Sequence, residues 1–434
     1  MSTARAGEGD KKYFYDVHCH VQTLSHPCLY AYLRRFLPLF SVPVVGMLLG
    51  AAIVLIFKSK QKNIANLLSV MERNASEILW LMNDDFNKSA VEIGGRRFES
   101  VIITPLLMDF WAKVPAIRQI GYQFQPKSIL PQVLDVFNGI AEFQWGTRIS
   151  DGNPPRVLSP FPFMGINTKH FYLGVAKPGE KRTSLEKTLN KYFGDRSKNE
   201  TLEQNRERAF FNRGTFKGDI EDLGWRQFAG IKVYPPLDFD PWPVGISEEL
   251  AKVRCLYKFC EEKGIPITSH CSPGGYKVAD DAEKLAHPSK WAPVLAEFPN
   301  LKLNLAHMGE RLETRAYAFG GTIGIKKFPI WLWGNWTEDI IDLVEKYPNV
   351  YTDMAYAGYE VCSNSFYEAL RVIIARRPKL GDRLMYGSDF SINLQDSKGY
   401  REYLDVFLKT PHLTDEQKVK MVNENPERFL WVNS

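Results

Sequence analysis

The chain has 434 residues, 44% hydrophobic and 24% charged, which is ordinary for a globular protein with one large or two medium cores. A formal net charge of +5 is small for this length; it speaks against a nucleic-acid binder and only weakly for an acidic partner. Six cysteines (Cys19, Cys28, Cys255, Cys260, Cys271, Cys362) form no CxxC pair and no regular spacing, which reads as reduced thiols in a cytosolic compartment.

The opening MSTARAGEGDKK is polar and lacks the apolar stretch of a signal peptide, so residues 1–12 read as a disordered lead-in to a single domain over 13–434. The next run, YFYDVHC (13–19), is aromatic and β-prone. A strand alternates its faces, so His18 and His20 project to one side, with Val17 and Cys19 on the other. Two imidazoles converging from one strand end suit a metal, although this stretch alone fits a surface strand with two solvated histidines equally well.

Residues 37–57, LPLFSVPVVGMLLGAAIVLIF, are almost wholly apolar, between Arg34–Arg35 and Lys58–Lys60. As a straight helix this run is long enough to cross a bilayer core, at roughly 30 Å. A single crossing would strand the first β-run on the far side from all the others. Two readings survive: a lid or oligomer contact folded over the domain, or a monotopic anchor in one leaflet with basic residues near headgroups. Pro38, Pro43, Gly46 and Gly50 bend the path, and the absence of charge favours contact with lipid.

Further β-prone runs follow at 100–107 (SVIITPLL), 156–163 (RVLSPFPF), 228–235 (FAGIKVYP), 265–271 (IPITSHC), 301–307 (LKLNLAH), 349–355 (NVYTDMA) and 383–389 (RLMYGSD). Amphipathic stretches such as EELAKVRCLYKFCEEKG and WTEDIIDLVEKYPN lie between the later ones. Eight strands alternating with helices predict parallel pairing and an α/β fold, a closed (β/α)8 barrel with long insertions after strands 1 and 3, at about 21–99 and 164–227. An open doubly wound sheet is the alternative, and the absence of a glycine-rich phosphate loop after the first strand counts against its dinucleotide-binding form.

Chemistry in such barrels sits at the carboxyl ends of the strands. Those ends carry His18 and His20, Lys232, His270, His307, Asp353 and Asp389. Each alone has a structural explanation, such as a satisfied buried histidine or a helix cap; jointly they converge on one mouth.

These motifs resemble the amidohydrolase superfamily, and most closely its branch of metal-dependent TIM-barrel hydrolases and decarboxylases. The likeness rests on HxH in the first run, GIKVYP in the fourth, ITSH in the fifth, LAH in the sixth and MYGSD in the eighth, with HPSKWAPVLAEFPNLKLNLAHMGE and ENPERFL as context. It is dense from about residue 228 onward, thinner around 13–20 and 100–110, and absent from both insertions.

The resemblance implies a hydrolase in which metal-activated water attacks an amide- or ester-like bond. His18, His20 and His270 are implied as neutral imidazole ligands, and Asp389 as both the carboxylate ligand and the proton shuttle. His307 would hydrogen-bond substrate and stabilise developing negative charge. One zinc suits a nitrogen-rich set, with manganese or iron as alternatives. In two-metal members of the superfamily the lysine on strand four is carboxylated and bridges the ions. Here Lys232 reads instead as an unmodified substrate contact, with a second metal left open.

His26, Tyr234, Glu310, Arg311 and Asp353 are further candidates for substrate contact. Arg311 hints at an acidic substrate, because a guanidinium grips carboxylates bidentately. The same ligand set supports non-oxidative decarboxylation of a carboxylated aromatic or unsaturated acid. A competitor of another class is an inactive, membrane-associated barrel acting as a scaffold. The expected partner is a small molecule, acidic or hydrophobic, and not nucleic acid. The expected location is the cytoplasm, at the inner membrane face if 37–57 touches lipid, and a homo-oligomer is left open.

Overall fold

The computed structural model describes residues 13–27, 66–111, 128–146, 155–213, 216–273, 275–277, 282–309, 336–356 and 363–432. The lead-in, the apolar run 37–57, Glu310 and Arg311 lie outside them. No helix among the described residues is long and apolar enough to cross a membrane.

The β-prone runs form parallel strands. These are β1 (Tyr13–Cys19), β2 (Ser100–Pro105), β3 (Leu158–Pro160), β4 (Phe163–Gly165), β5 (Gly230–Val233), β6 (Ile267–His270), β7 (Leu303–Ala306), β8 (Val350–Asp353) and β9 (Leu384–Met385). They make two sheets, a three-stranded one in the order β1–β2–β3 and a six-stranded one in the order β9–β8–β7–β6–β5–β4.

One continuous closed sheet was expected. Instead the run RVLSPFPF splits into β3 and β4, which belong to different sheets. Pro160 and Pro162 have no N–H to give, so the ladder stops and resumes on a new partner. Backbone contacts still cross both seams. Leu106 bridges to Phe163, and the Leu107 N–H donates to the Phe163 carbonyl at 3.1 Å. At the other seam Cys19 bridges to Phe390, the Val17 N–H reaches the Tyr386 carbonyl at 3.1 Å and the Asp389 N–H reaches the His18 carbonyl at 2.8 Å.

Helices connect the strands, including the two amphipathic stretches read from the sequence between the later β-runs. Between β1 and β2 lies α1 (Ala75–Asn87), started by a capping box in which Asn74 and Glu77 satisfy each other's backbone N–H. Next, α2 (Leu130–Trp145) packs on it so closely that a Cβ at Gly139 would sit 2.5 Å from Ala75 Cβ. Between β5 and β6, α3 (Ser247–Lys263) carries Glu248 and Glu249 in its first turn and ends at Gly264, in the left-handed conformation. Following β7 and β8 respectively are α4 (Trp336–Lys346) and α5 (Ser363–Arg376).

The inward faces of the two sheets are layered by polarity. Below, Tyr15, Val17, Ile102, Phe163, Tyr351 and Met385 form one apolar cluster with Phe429, Leu430 and Trp431 at the end of α6 (Asn425–Leu430). The last carbonyls of that segment are capped from three directions: Arg196 Nη2 on Leu430 at 2.7 Å, Asn205 Nδ2 on Trp431 at 2.9 Å and Lys302 Nζ on Phe429 at 3.1 Å. Tyr15 closes the junction, donating to Glu427 at 3.1 Å and accepting from Trp431 Nε1 at 3.3 Å.

Above that floor the same alternation presents Thr104, Lys232, Thr268, Asn304 and Asp353, all buried. Val17 shares the lower cluster with Tyr15 as alternation requires, and the register shift between Asp16 and Cys19 turns Cys19, which alternation alone would put with them, to the outer face.

Candidate metal centre

At the carboxyl ends of the strands, His18, His20 and Asp389 bring one ligand atom each within 4.8 Å of one another, all buried. Asp389 Oδ1 lies 3.2 Å from His20 Nε2 and 3.5 Å from His18 Nε2. The opposite ring nitrogens fix the tautomers. His20 Nδ1 faces the Leu106 carbonyl at 3.1 Å, an atom that only accepts, so Nδ1 carries the proton. His18 Nδ1 donates likewise to Asp353 Oδ2 at 3.0 Å. Both Nε2 atoms therefore turn lone pairs toward a carboxylate oxygen. Three electron-rich atoms in that arrangement repel unless a cation, a proton or a metal ion, sits among them.

Burial drives the His18 pKa down to about 4, against the pull of Asp353, so near neutrality this ring is a free base as a metal ligand must be. For Asp389, burial acts to raise the pKa, and it is the hydrogen bond and positive charge of a proton carried by the flanking His20 and His18 rings that outweigh it and hold the carboxyl at about 2.

Asp353, expected from the sequence as a substrate contact, has both carboxylate oxygens taken up by N–H donors of the site. Fully buried, its Oδ2 accepts from His18 Nδ1 and from Asn304 Nδ2 at 2.7 Å, and its Oδ1 from the backbone N–H of His307 at 3.0 Å and of Ala355 at 3.1 Å. Burial acts to raise its pKa, but the His18 ring and these donors hold it far below the ordinary carboxylate range. A second group within 4.8 Å joins His18, His307 and Asp353, but its facing atoms are already engaged in hydrogen bonds.

His307 gives its Nδ1 proton to the Ala355 carbonyl at 3.0 Å, and its Nε2 accepts from His270 Nδ1 at 3.1 Å. As a neutral ring it offers an acceptor, not the donor expected for stabilising negative charge. His270, expected as the third imidazole ligand, belongs to neither group of ligand atoms. Its Nε2 has the lone pair a ligand needs, but takes a hydrogen bond from Ser272 Oγ at 3.2 Å. Gly275 covers it so tightly that an added Cβ would meet Nε2 at 2.9 Å.

Both Asp389 (φ 54°) and His307 (φ 70°) adopt the left-handed conformation rare outside glycine. The chain accepts about 1–3 kcal/mol at each such residue to aim these side chains.

Lys232 projects inward from β5 as its alternation requires, with Nζ buried and no hydrogen-bond partner among the described residues. Its Nζ lies 5.6 Å from the Tyr234 ring centre, and burial lowers its pKa to about 8 against the attraction of Asp353 and Asp389. Tyr234 stacks on His270 with ring centres 4.6 Å apart and accepts from the Tyr276 N–H at 3.0 Å. His26 is turned elsewhere, onto Asp135 of α2 at 2.7 Å.

Three organising residues were not singled out from the sequence. Asp16 Oδ1 takes the N–H groups of His18 (3.2 Å) and Ser388 (3.0 Å), Asn304 links Asp353 to Thr268, and Gln22 donates to the Tyr276 hydroxyl at 3.1 Å. Asn304 was readable as the uncharged polar side chain set between leucines in LKLNLAH, and Gln22 as the next position in the alternation of His18 and His20.

Parallel strands with alternating helices and a nest of imidazoles and carboxylates at the strand ends define an α/β protein built to hold a cation. Residues 211–431, half of the chain, match the family model described as amidohydrolase, and the chain belongs to that family. No curated protein matches it.

Among solved structures it is similar to a probable 2-pyrone-4,6-dicarboxylic acid hydrolase from Acinetobacter baumannii, with 11% identity, 96% of this chain and 98% of that one covered, and a TM-score of 0.41. It is similar also to 5-carboxyvanillate decarboxylase from Novosphingobium aromaticivorans, solved with manganese and a nitrobenzoic acid (12%, 96% of each chain, 0.42). A third is dihydroorotase from Campylobacter jejuni (11%, 96% and 82%, 0.39). None of the three fixes a reaction for this chain.

Proposed function

We propose that the protein is a metal-dependent enzyme hydrolysing an amide- or ester-like bond, with its site at the mouth of a (β/α)8 barrel parted at the two seams described above. The observation that carries this is the convergence of the His18 and His20 lone pairs on Asp389 Oδ1, at 3.5 and 3.2 Å, with both Nδ1 protons engaged elsewhere.

His18, His20 and Asp389 would hold the ion, and His270, released from Ser272, is the fourth donor of the proposal. A divalent ion held there, zinc suiting the nitrogen-rich set, supplies Lewis acidity that acidifies water and polarises a carbonyl. Asp389 takes the proton from the attacking water and returns it to the leaving group. His307, whose Nε2 accepts from His270 Nδ1, holds that ring in the tautomer that leaves its Nε2 lone pair for the ion. Asp353 keeps His18 in its binding tautomer.

The Lys232 ammonium, without a hydrogen-bond partner among the described residues, supports a substrate carboxylate, and with it a second reading: decarboxylation of an acid at the same site. Metal analysis of the purified protein comes first, followed by a panel of amides, esters and aromatic acids scored for hydrolysis and for carbon dioxide. Protein folded like the wild type yet unable to retain any divalent ion would overturn the proposal.

A further inference from the structure

A second imidazole is mounted on the same rim, away from the cluster. His170 follows β4 and Asp109 follows β2, so both leave the carboxyl ends of strands. His170 Nδ1 donates to Asp109 Oδ2 at 2.6 Å, and each side chain is 8% exposed. The other carboxylate oxygen takes the Trp111 N–H at 3.2 Å, and the Trp111 ring stacks on His170 with centres 4.1 Å apart and planes 26° apart.

The backbone around them is fixed as well. The His170 N–H bonds to the Asn167 carbonyl at 3.0 Å, and Asn167 Nδ2 reaches the Leu237 carbonyl beyond β5 at 3.2 Å. On the other side, Gly165 lets the strand after β2 pass close, since a Cβ there would meet the Leu107 carbonyl oxygen at 2.6 Å. A chain of rings joins this pair to the metal centre: Phe110 against Tyr276 (5.2 Å), Tyr276 bonded to Tyr234, and Tyr234 stacked on His270.

An imidazole held by a carboxylate on one nitrogen and a stacked indole on its face has one tautomer and one orientation. Its Nε2 lone pair has no hydrogen-bond partner among the described residues. The indole Nε1–H of Trp111 is likewise buried without one. An unmet acceptor and an unmet donor on two stacked rings call for a group that both gives and takes a hydrogen bond, and a hydroxyl is such a group.

We propose that His170, positioned by Asp109 and Trp111, is a substrate-recognition residue that accepts a hydrogen bond from a hydroxyl on the part of the substrate remote from the metal. This rests on the metal-dependent reading above and narrows its substrates to hydroxyl-bearing ones.

The test uses the zinc-loaded full chain and benzohydroxamate, a metal-chelating aromatic probe, compared by calorimetry with its 2-, 3- and 4-hydroxy derivatives. At least one derivative should bind about threefold to tenfold more tightly than the parent, the net worth of one neutral hydrogen bond. His170→Phe, which keeps a ring under Trp111, should erase that gain, so that the hydroxy derivative binds the variant no more tightly than the parent does.

Mass mapping of wild-type protein after diethyl pyrocarbonate treatment needs no variant. The preferred derivative, at about ten times its Kd, should slow labelling of His170 about tenfold. No gain for any derivative, a gain that survives His170→Phe, no protection of His170, or no hydroxamate binding to zinc-replete protein would each overturn the assignment. Failure to retain zinc would instead sink the metal-dependent reading on which it rests.

Discussion

Asp353→Asn tests the organisation of the centre without touching the three converging ligand atoms. The wild-type carboxylate accepts four N–H donors, two on each oxygen. An amide must turn its NH2 group toward one of these pairs. Turned toward His307 and Ala355, it opposes two buried backbone donors. Turned toward His18, it drives the ring to its other tautomer, so that a proton replaces the lone pair at Nε2. Loss of such an outer partner typically costs 10- to 100-fold in metal affinity, or about 1.4–2.7 kcal/mol. Each stranded donor adds about 1–3 kcal/mol of lost stability.

Zinc titration against a chromophoric chelator reads the first quantity, and urea unfolding of the metal-free protein reads the second. The wild-type carboxyl is held below its unfolded value, so its contribution to stability is present above that value and lost as pH falls beneath it. The stability gap between the two proteins should therefore narrow below about pH 4. A variant that binds zinc as tightly as wild type and unfolds at the same urea concentration would refute the account.

The buried His18 makes a distinct acid signature: with its pKa lowered from 6.5 to about 4, the unfolded chain binds the extra proton, and metal-free protein should lose about 3 kcal/mol as pH falls from 6.5 to 4. Urea midpoints across that range, flattened in His18→Asn, check it. Arg196→Met strands two buried carbonyls, those of Ala229 and Leu430, and should cost about 2–5 kcal/mol in urea unfolding while zinc affinity stays unchanged at the opposite end of the strands. At Gly275 (φ 88°) an alanine Cβ would meet the Tyr234 hydroxyl at 2.1 Å, so Gly275→Ala should displace Tyr234 and His270 together and lower Tm by several degrees, read by calorimetry.

The strand order of chemistry was legible because five of the eight β-runs end or nearly end in a residue that can bind a metal or move a proton, so His18, His20 and Asp389 could be nominated from position. The closed sheet was not met in that form, because RVLSPFPF reads as one apolar run while its prolines divide the ladder between two partners. His270 shows a second limit: alternation along IPITSH aims the side chain correctly, but the Ser272 and Gly275 contacts that hold it away come from the following loop, which has no period to read. The tautomer of His307 has the same origin, since it is set by the Ala355 carbonyl in the turn after β8. His26 was misplaced because a histidine near HxH in sequence need not share its face once the chain has left the strand.

The junction of Tyr15 with Glu427 and Trp431 spans more than 400 positions of chain. During synthesis β1 emerges long before its neighbours at the second seam and the segment that seals the floor beneath it. For most of translation, then, an apolar ribbon carrying two unmetallated imidazoles waits with one edge bare, which makes this a slow, high-contact-order folder and a natural client for chaperones. An ion held as proposed by His18, His20 and Asp389 could be captured only once the Asp389 segment has closed on β1, so its uptake would report that closure.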